Sequence, residues 1–349
     1  MRHFGQRLMA EYTFNNILVT GGAGFIGSNF IRYLQEKVAA TTIINLDLLT
    51  YAGSLQNLAN LPHPEQHHWV QGDICDKTLV LNCLRQHNID TIVHFAAESH
   101  VDRSLQGPAT FIHSNLVGTF TLLEAARQYW FEEQHLDHSN CRFHHISTDE
   151  VYGSLQKEDA AFTETSLYQP NSPYSATKAG SDHLVRAYHH SYGLPVTTSN
   201  CSNNYGPYQH CEKLIPTIIR QCLEFNPIPI YGDGSNIRDW LYVEDHCEAI
   251  HCILSKGKVG ETYNIGGCNE WSNLAIASYI CHQMDMLRPQ QKSYESLIQF
   301  VTDRPGHDWR YAIDISKLNK QLGWSPKESF ESGIAKTIRF YLDSQQMIK

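Results

Sequence analysis

Residues 16–28 read NILVTGGAGFIGS. Asn16–Thr20 is an unbroken apolar run, the pattern of a strand covered on both faces. Gly21, Gly24 and Gly27 follow at intervals of three, and the spacing of apolar residues over Phe25–Glu36 is helical. In such a strand–turn–helix unit the first glycine permits the tight turn. The second lets the backbone approach a pyrophosphate, and the third lets the helix close onto the sheet. The free N–H groups at the helix start then face an anion. The spacing is G-x-x-G-x-x-G rather than G-x-G-x-x-G, so the glycines alone are compatible with a plain tight turn. A carboxylate strengthens the dinucleotide reading. Asp47 ends the next expected strand (Thr42–Leu46), twenty residues after Gly27, where it can reach ribose hydroxyls. Leu48 follows it, with no Arg to receive a 2′-phosphate, which favours NAD over NADP. Asp73, after a third expected strand at His68–Gln71, is placed for an adenine contact.

Outward from this unit, helices are expected at Thr78–His87, Asn115–Trp130 and Ala176–Tyr192, the last ended by Gly193 and Pro195. Strands are expected at Asp90–Phe95 and Arg142–Ser147. Strands alternating with helices give an α/β, Rossmann-type, doubly wound parallel sheet. After Asn200 the alternation breaks among Pro207, Pro216, Pro227 and Pro229. The division expected is a loose N-terminal extension (1–14), a dinucleotide-binding domain (15–200) to which the chain returns at about 236–265, and a smaller α/β substrate-binding domain (201–235 and 266–349).

The chain has 349 residues, 42% hydrophobic and 18% charged, with net charge −9. The length allows about two domains at ~150 residues each. The negative balance argues against a nucleic-acid partner or a membrane surface. Ten cysteines without a C-x-x-C pair read as reduced thiols in a cytoplasmic setting. The opening MRHFGQRLMAEYTF lacks a signal-peptide core, and no apolar run reaches the ~18 residues that span a bilayer. No metal is expected. His246, Cys247, His251 and Cys252 look like ligands, but with twenty His and ten Cys such groupings arise by chance, and no H-E-x-x-H occurs.

Tyr174 and Lys178 stand four apart in YSATK, which puts both on one helix face. A phenol titrates near ~10, so work as a base at neutral pH needs a neighbouring positive charge. Lys178 is expected to supply one and to hold a nicotinamide ribose, while Tyr174 takes a hydroxyl proton. Thr148, Asp149 and Glu150 follow the fifth strand, at the end of the sheet where ligands sit. Two carboxyls in unequal environments divide into an acid and a base. Adjacent residues of a regular strand point to opposite faces, so the strand must end here for both to meet one substrate. Without the dinucleotide unit upstream, an exposed Tyr–Lys pair and two helix-capping acids would be the better account of these residues.

GGAGFIGS, HFAAESHVDRS, STDEVYG and YSATK together resemble the extended short-chain dehydrogenase/reductase family, and within it the NAD-dependent dTDP-glucose 4,6-dehydratases. The likeness continues through NCSNNYGPYQ (200–209), EKLIP (212–216), PIYGDGSNIRDWLYVEDH (229–246) and DRPGHDWRYAID (303–314). It implies dTDP-glucose as substrate and dTDP-4-keto-6-deoxyglucose plus water as products, on the way to deoxysugars. Catalysis would fall to Thr148, Asp149 (acid), Glu150 (base), Tyr174 and Lys178. The NAD site would be lined by Gly21, Gly24, Phe25, Ile26, Gly27, Asp47, Thr50, Asp73, Ile74, Phe95, Ala96, Ala97, Ser99, Ser114, Tyr174, Lys178 and Asn204. The nucleotide sugar would meet Ser99, Thr148, Asn203, Lys213, Leu214, Pro229, Tyr231, Arg238, Asn273, Asp303, Arg304 and His307. Arg238 and Arg304 suit a diphosphate, since guanidinium grips two oxygens at once, although either could equally form a salt bridge. The family also implies a homodimer joined by the helices around Asn115–Trp130 and Ala176–Tyr192. The competing expectations are another NAD-dependent nucleotide-sugar dehydratase, a 4-epimerase, which would not need the two carboxyls, and a non-enzymatic NAD sensor, which would not need Tyr174 and Lys178.

Overall fold

The computed structural model describes residues 11–38, 41–304 and 306–344. Five strands fall where an alternating pattern put them: β1 (Asn16–Thr20), β2 (Thr42–Asp47), β3 (His67–Gln71), β4 (Thr91–His94) and β5 (Arg142–Thr148); β6 (Val196–Cys201), which was not expected, follows. Then come β7 (Asn203–Tyr205), β8 (Ile228–Tyr231), β9 (Ile237–Tyr242), β10 (Thr262–Ile265), β11 (Glu270–Ser272) and β12 (Ile298–Val301). Seven of them form one sheet in the order β3-β2-β1-β4-β5-β6-β10. Every pairing in it is parallel, with β1 in register Asn16↔Thr42 to β2 and Ile17↔Thr91 to β4. Every residue of β4, β5 and β6 is buried, the reason these strands read as continuous rather than alternating runs. The strand order reverses at β1, between β2 and β4, and a crevice opens at such a point beyond the carboxyl ends of the strands.

Helices cover both faces. On one, α1 (Phe25–Lys37) buries Phe30, Ile31 and Leu34 against Ile250, Ile253 and Leu254. On the other, α2 (Lys77–Gln86) contributes Leu81 and Leu84, beside Leu122, Leu123, Trp130 and Val185. The helix expected at Asn115–Trp130 is longer and less regular. After α3 (Val101–Gln106) the chain breaks at Gly107 and restarts at Pro108, a residue with no N–H to continue a helix but suited to begin one. It then stays helical through α4 (Pro108–Phe111) and α5 (Thr119–Arg127), with wide π-turns at Ile112–Gly118 and Gln128–Glu133. The next helix, α6 (Pro173–Tyr192), starts three residues before the expected Ala176. Ser172 and Ser175 form a reciprocal cap and Pro173 takes the first position, which places Tyr174 in the first turn.

The rest of the chain includes α7 (Leu214–Glu224), α8 (Val243–Lys256), α9 (Asn273–Leu287), α10 (Ser316–Leu322) and α11 (Phe330–Asp343). A second core gathers Ile215, Ile219, Ile276, Ile280, Phe330 and Ile334 around the small sheets β11-β9-β7 and β12-β8. The chain does rejoin the main sheet: Ile250 and Ile253 of α8 lie in the α1 core, and β10 is the seventh strand. The expected division fails in two places. Leu318 and Trp324, within the segment assigned to the second domain, lie in the α1 core instead. The extension is not loose as far as it is described. The Tyr12 hydroxyl meets Thr91 Oγ1 at 2.8 Å, and Phe14 is buried in the same core. Residues 1–10 lie outside the described residues. Among those described, no helix is long and apolar enough to cross a membrane.

Candidate active site

One cleft runs along the carboxyl ends of β1, β2, β4 and β5. At its centre is the glycine turn. Gly21 has φ +73°, and a Cβ there would lie 2.6 Å from the Ala96 nitrogen. A Cβ on Gly27 would lie 2.3 Å from the Gly21 carbonyl, so α1 can sit this close only without a side chain. No side chain caps α1 at Gly24, which leaves its first N–H groups facing the cleft. Asp47 lies beside them. Its Oδ2 accepts from Ala23 N at 2.9 Å and its Oδ1 from Leu49 N at 2.8 Å. Burial raises this carboxyl, and the two N–H groups oppose the rise. The cleft wall contains all seventeen residues expected at the dinucleotide: Gly21, Gly24, Phe25, Ile26, Gly27, Asp47, Thr50, Asp73, Ile74, Phe95, Ala96, Ala97, Ser99, Ser114, Tyr174, Lys178 and Asn204. Its only Lys or Arg residues are Lys178 and Lys213, so Asp47 has no cation beside it in the wall. An unmet helix N-terminus, a cradle that a Cβ would fill and a cleft-lining acid at the end of β2 with no Lys or Arg beside it in the wall together fit NAD.

At the far end of β5 the strand stops at Thr148, and Asp149–Tyr152 make a single 3-10 turn. Thr148 caps that turn, its Oγ1 accepting from Glu150 N at 3.3 Å. The turn separates two neighbouring carboxyls that a continuing strand would have sent to opposite faces. Glu150 lines the cleft, whereas Asp149 lies behind the wall, 1% exposed. The Asp149 Oδ2 has no hydrogen-bond partner in the protein. Burial, then the charges of Glu150 and Asp239, push Asp149 well above the usual carboxyl range, with Arg238 opposing. Burial also raises Glu150, but three cations, Arg304, Arg238 and Lys213, oppose it. Both acids are thus raised, but unequally: Asp149 well above the usual range with one opposing cation, Glu150 less so, held back by three.

Tyr174 and Lys178 are both buried on the cleft-facing side of α6. Lys178 Nζ donates to the Ile146 carbonyl at 2.7 Å. Burial pushes the Tyr174 phenol well up, followed by the charges of Glu150 and Cys201. A downward pull from Lys178 was expected, yet it is not among the principal influences in the free protein; desolvation outweighs it. Lys178 is itself lowered by burial, against the opposing charge of Asp182.

The residues expected at the nucleotide sugar are split. Ser99, Thr148, Asn203 and Lys213 line the cleft. Leu214, Pro229, Tyr231, Arg238, Asn273, Asp303, Arg304 and His307 do not: Leu214 packs against the second core, and the charges of Arg238 and Arg304 act on Glu150. Lys213 Nζ donates to the Ser99 carbonyl at 3.3 Å across the two units. Arg304 Nη1 lies 3.4 Å from Asp102 Oδ1, the inter-unit pair that the sequence left open. Arg238 is 5% exposed; it donates to the carbonyls of Ile237, Asp308 and Trp309 and lies over the Tyr311 ring at 4.3 Å. His307 Nδ1 is 2.6 Å from Asp303 Oδ1, and its ring meets that of Tyr231 edge-on. Leu214 and Asn273 open α7 and α9, while Pro229 and Tyr231 share the exposed face of β8.

Two supporting residues escaped the sequence reading. His246, set aside there as structural, meets Asn204 Oδ1 at 2.9 Å from a fully buried ring. Asp182, one turn beyond Lys178, accepts from Ser147 Oγ at 2.8 Å and Tyr168 OH at 3.0 Å, with His145 Nε2 at 3.1 Å. Its position four after Lys178 was the available signal, since that spacing stacks two charges on one helix face.

The family model described as GDP-mannose 4,6 dehydratase matches residues 18–337. A dTDP-glucose 4,6-dehydratase of Xanthomonas campestris pv. campestris (strain B100) is 56% identical over 334 residues, covering 95% of this chain and 94% of its own. That of Salmonella typhimurium is 52% identical over 340 residues, with the same coverage. Among solved structures, DesIV of Streptomyces venezuelae, a dTDP-glucose 4,6-dehydratase crystallised with NAD, superposes with TM-score 0.85 at 45% identity, covering 95% of this chain and 98% of its own. A UDP-glucose 4-epimerase of Thermotoga maritima keeps the fold, with TM-score 0.82, at 26% identity, covering 96% of this chain and 100% of its own. The parallel sheet, the glycine cradle and the acid pair ending β5 thus sit in a chain that belongs to the nucleotide-sugar 4,6-dehydratase family.

Proposed function

We propose that this chain is an NAD-dependent dTDP-glucose 4,6-dehydratase, a hydro-lyase that forms dTDP-4-keto-6-deoxyglucose and water. The observation that carries the reading is the pair Asp149–Glu150: two carboxyls raised to unequal extents, one behind the wall and one lining it, next to a buried Tyr174–Lys178 pair in a dinucleotide-shaped cleft. Relatives of that name at 52–56% identity support it.

NAD, when bound, supplies a hydride acceptor at carbon 4, a hydride donor at carbon 6 and a positive charge that favours phenolate. Gly21, Gly24, Gly27 and Asp47 would hold it. Tyr174 takes the proton of the 4-hydroxyl, with Thr148 placed to orient that hydroxyl. The ketone so formed acidifies the carbon 5 proton, and Glu150 removes it; Arg304, Arg238 and Lys213 oppose the rise that burial imposes on this carboxyl and so favour its anionic form. Asp149, kept neutral by burial, gives its proton to the departing 6-hydroxyl, which leaves as water. Glu150 returns its proton to carbon 5. The proton left on Tyr174 equals the one lost by Asp149, so the net count is unchanged, and passage of that proton from Tyr174 to Asp149 resets both groups for the next turnover. Arg238, Arg304 and Lys213 supply the positive side facing a diphosphate.

The proposal extends to a homodimer in the cytoplasm. Leu105, Ile112, Val117 and Phe120 are exposed along 101–120, and Tyr192 at the end of α6. Ten free thiols fit a reducing compartment. Light scattering on the purified protein checks the dimer. Mass spectrometry of products from dTDP-, UDP- and CDP-glucose tests the activity. A product lighter by one water, formed fastest from dTDP-glucose, is expected. An unchanged mass with galactose on the nucleotide would make the protein an epimerase instead.

A further inference from the structure

Three metal-binding side chains meet at the outer end of the cleft, where no metal is expected from the sequence. Asp73 and Cys75 follow β3, and His113 belongs to the wide π-turn Ile112–Gly118. Such widened turns occur frequently at functional positions. The turn lies close to the 73–75 loop because residue 118 is glycine: a Cβ there would strike the Ile74 side chain at 2.4 Å and approach Cys75 Sγ at 3.5 Å. His113 Nε2 consequently lies 3.7 Å from Asp73 Oδ2, and the Cys75 thiol donates to the His113 carbonyl at 3.4 Å. The Asp73 Oδ1 accepts from Cys75 N at 2.8 Å, which holds this loop in a tight turn. One oxygen, one sulfur and one imidazole nitrogen all lie within 4.8 Å of one another.

We propose that Asp73, Cys75 and His113 bind a thiophilic divalent transition-metal ion, zinc foremost, and that its occupation opposes binding of the dinucleotide. The donor set is the argument. Thiolate, imidazole and carboxylate are the ligands zinc takes, at ~2.0–2.3 Å, and a small side-chain rotation closes the present spacing to that. The thiolate and carboxylate charges balance a divalent ion, and the fourth position is open to water. On binding, the Cys75 S–H bond is replaced by a metal–sulfur bond and one proton goes to solvent. The second half of the proposal rests on the cofactor reading above. Asp73 lines the same cleft, and a carboxylate drawn toward His113 is no longer free to face it. By linkage, each ligand then weakens the other by one common factor.

Cobalt(II) serves as the probe, since thiolate ligation gives an absorption band in the near ultraviolet. Titration of the purified full-length protein is expected to raise that band and to release one proton per metal. Cys75→Ser should abolish the band. His113→Ala, at a side chain 60% exposed and so harmless to folding, should weaken cobalt at least ~10-fold. Saturating NAD, with its own binding followed by tryptophan fluorescence, should weaken cobalt as well. A band that survives Cys75→Ser, or an affinity unchanged by His113→Ala, overturns the site. Cobalt affinity untouched by NAD that demonstrably binds overturns the antagonism. Failure of NAD to bind at all would count against the cofactor reading instead.

Discussion

Replacing Asp149 with Asn tests whether this carboxyl is held neutral. Asp149 is 1% exposed, and one of its oxygens is unpartnered. Burial and two neighbouring carboxyls raise its pKa well above 3.8. In the unfolded chain it titrates near ~3.9. Between the unfolded and folded values, folding must take up a proton. For a group raised on folding, stability is complete below the unfolded pKa and is lost as pH climbs toward the folded one. The slope is about 1.4 kcal/mol per pH unit. Asn keeps the shape and carries no charge, so the variant is spared this loss. Its buried amide adds an offset of roughly 1–3 kcal/mol if unpaired, but the offset does not vary with pH. Urea unfolding of both proteins at pH 5 and pH 6 should therefore show the variant gaining on the parent over that interval, by at most the linkage limit of about 1.4 kcal/mol per pH unit. The same variant should lose water elimination by about 10²–10⁴-fold while still exchanging the carbon 5 proton. A stability difference that stays constant between the two pH values would refute the neutral-acid reasoning.

Gly27→Ala forces a Cβ to within 2.3 Å of the Gly21 carbonyl. At ~1–3 kcal/mol for such overpacking, NAD affinity measured by calorimetry should fall roughly 5- to 150-fold. Asp182→Asn removes the carboxylate that opposes desolvation of Lys178. The alkaline limb of the kcat/KM profile should move to lower pH, and an unmoved profile would deny that coupling. Arg304→Ala breaks a pair with Asp102 whose side chains are 23% and 30% exposed, so stability should change by less than ~1 kcal/mol. Its effect should instead be a raised KM for the nucleotide sugar, and a large loss of Tm with unchanged KM would assign Arg304 a structural role.

The dinucleotide half of the molecule was legible because its signals are local. A strand, a glycine turn, a helix and Asp47 lie within 32 residues, from Asn16 to Asp47, and backbone geometry alone explains them. The acid pair could be read as far as the need for β5 to end at Thr148, which the 3-10 turn after it meets. Which acid is the more strongly raised depends in part on the charges of Arg238, Arg304 and Asp239, brought from another part of the chain, and no spacing encodes that. The Tyr–Lys reading failed in one respect for a similar reason. The spacing puts Lys178 beside Tyr174, but the amount of desolvation, which decides the phenol's direction, comes from tertiary packing. The helix expected from Asn115 already starts at Pro108, a start that the Gly107–Pro108 pair marks in the sequence. Trp324 and Leu318 were misplaced because an apolar residue in sequence does not say which of two cores will take it. The Asp73–Cys75–His113 meeting joins residues 38 apart through a π-turn, a feature without a sequence pattern of its own.

The division of labour between the two carboxyls is tested most directly by Glu150→Gln in deuterated buffer with dTDP-glucose. NMR of the sugar should show no deuterium entering carbon 5, while absorbance of the reduced nicotinamide shows that carbon 4 is still oxidised. Deuterium entering carbon 5 at the wild-type rate would remove Glu150 from the role of base, and with it the account of how water is lost.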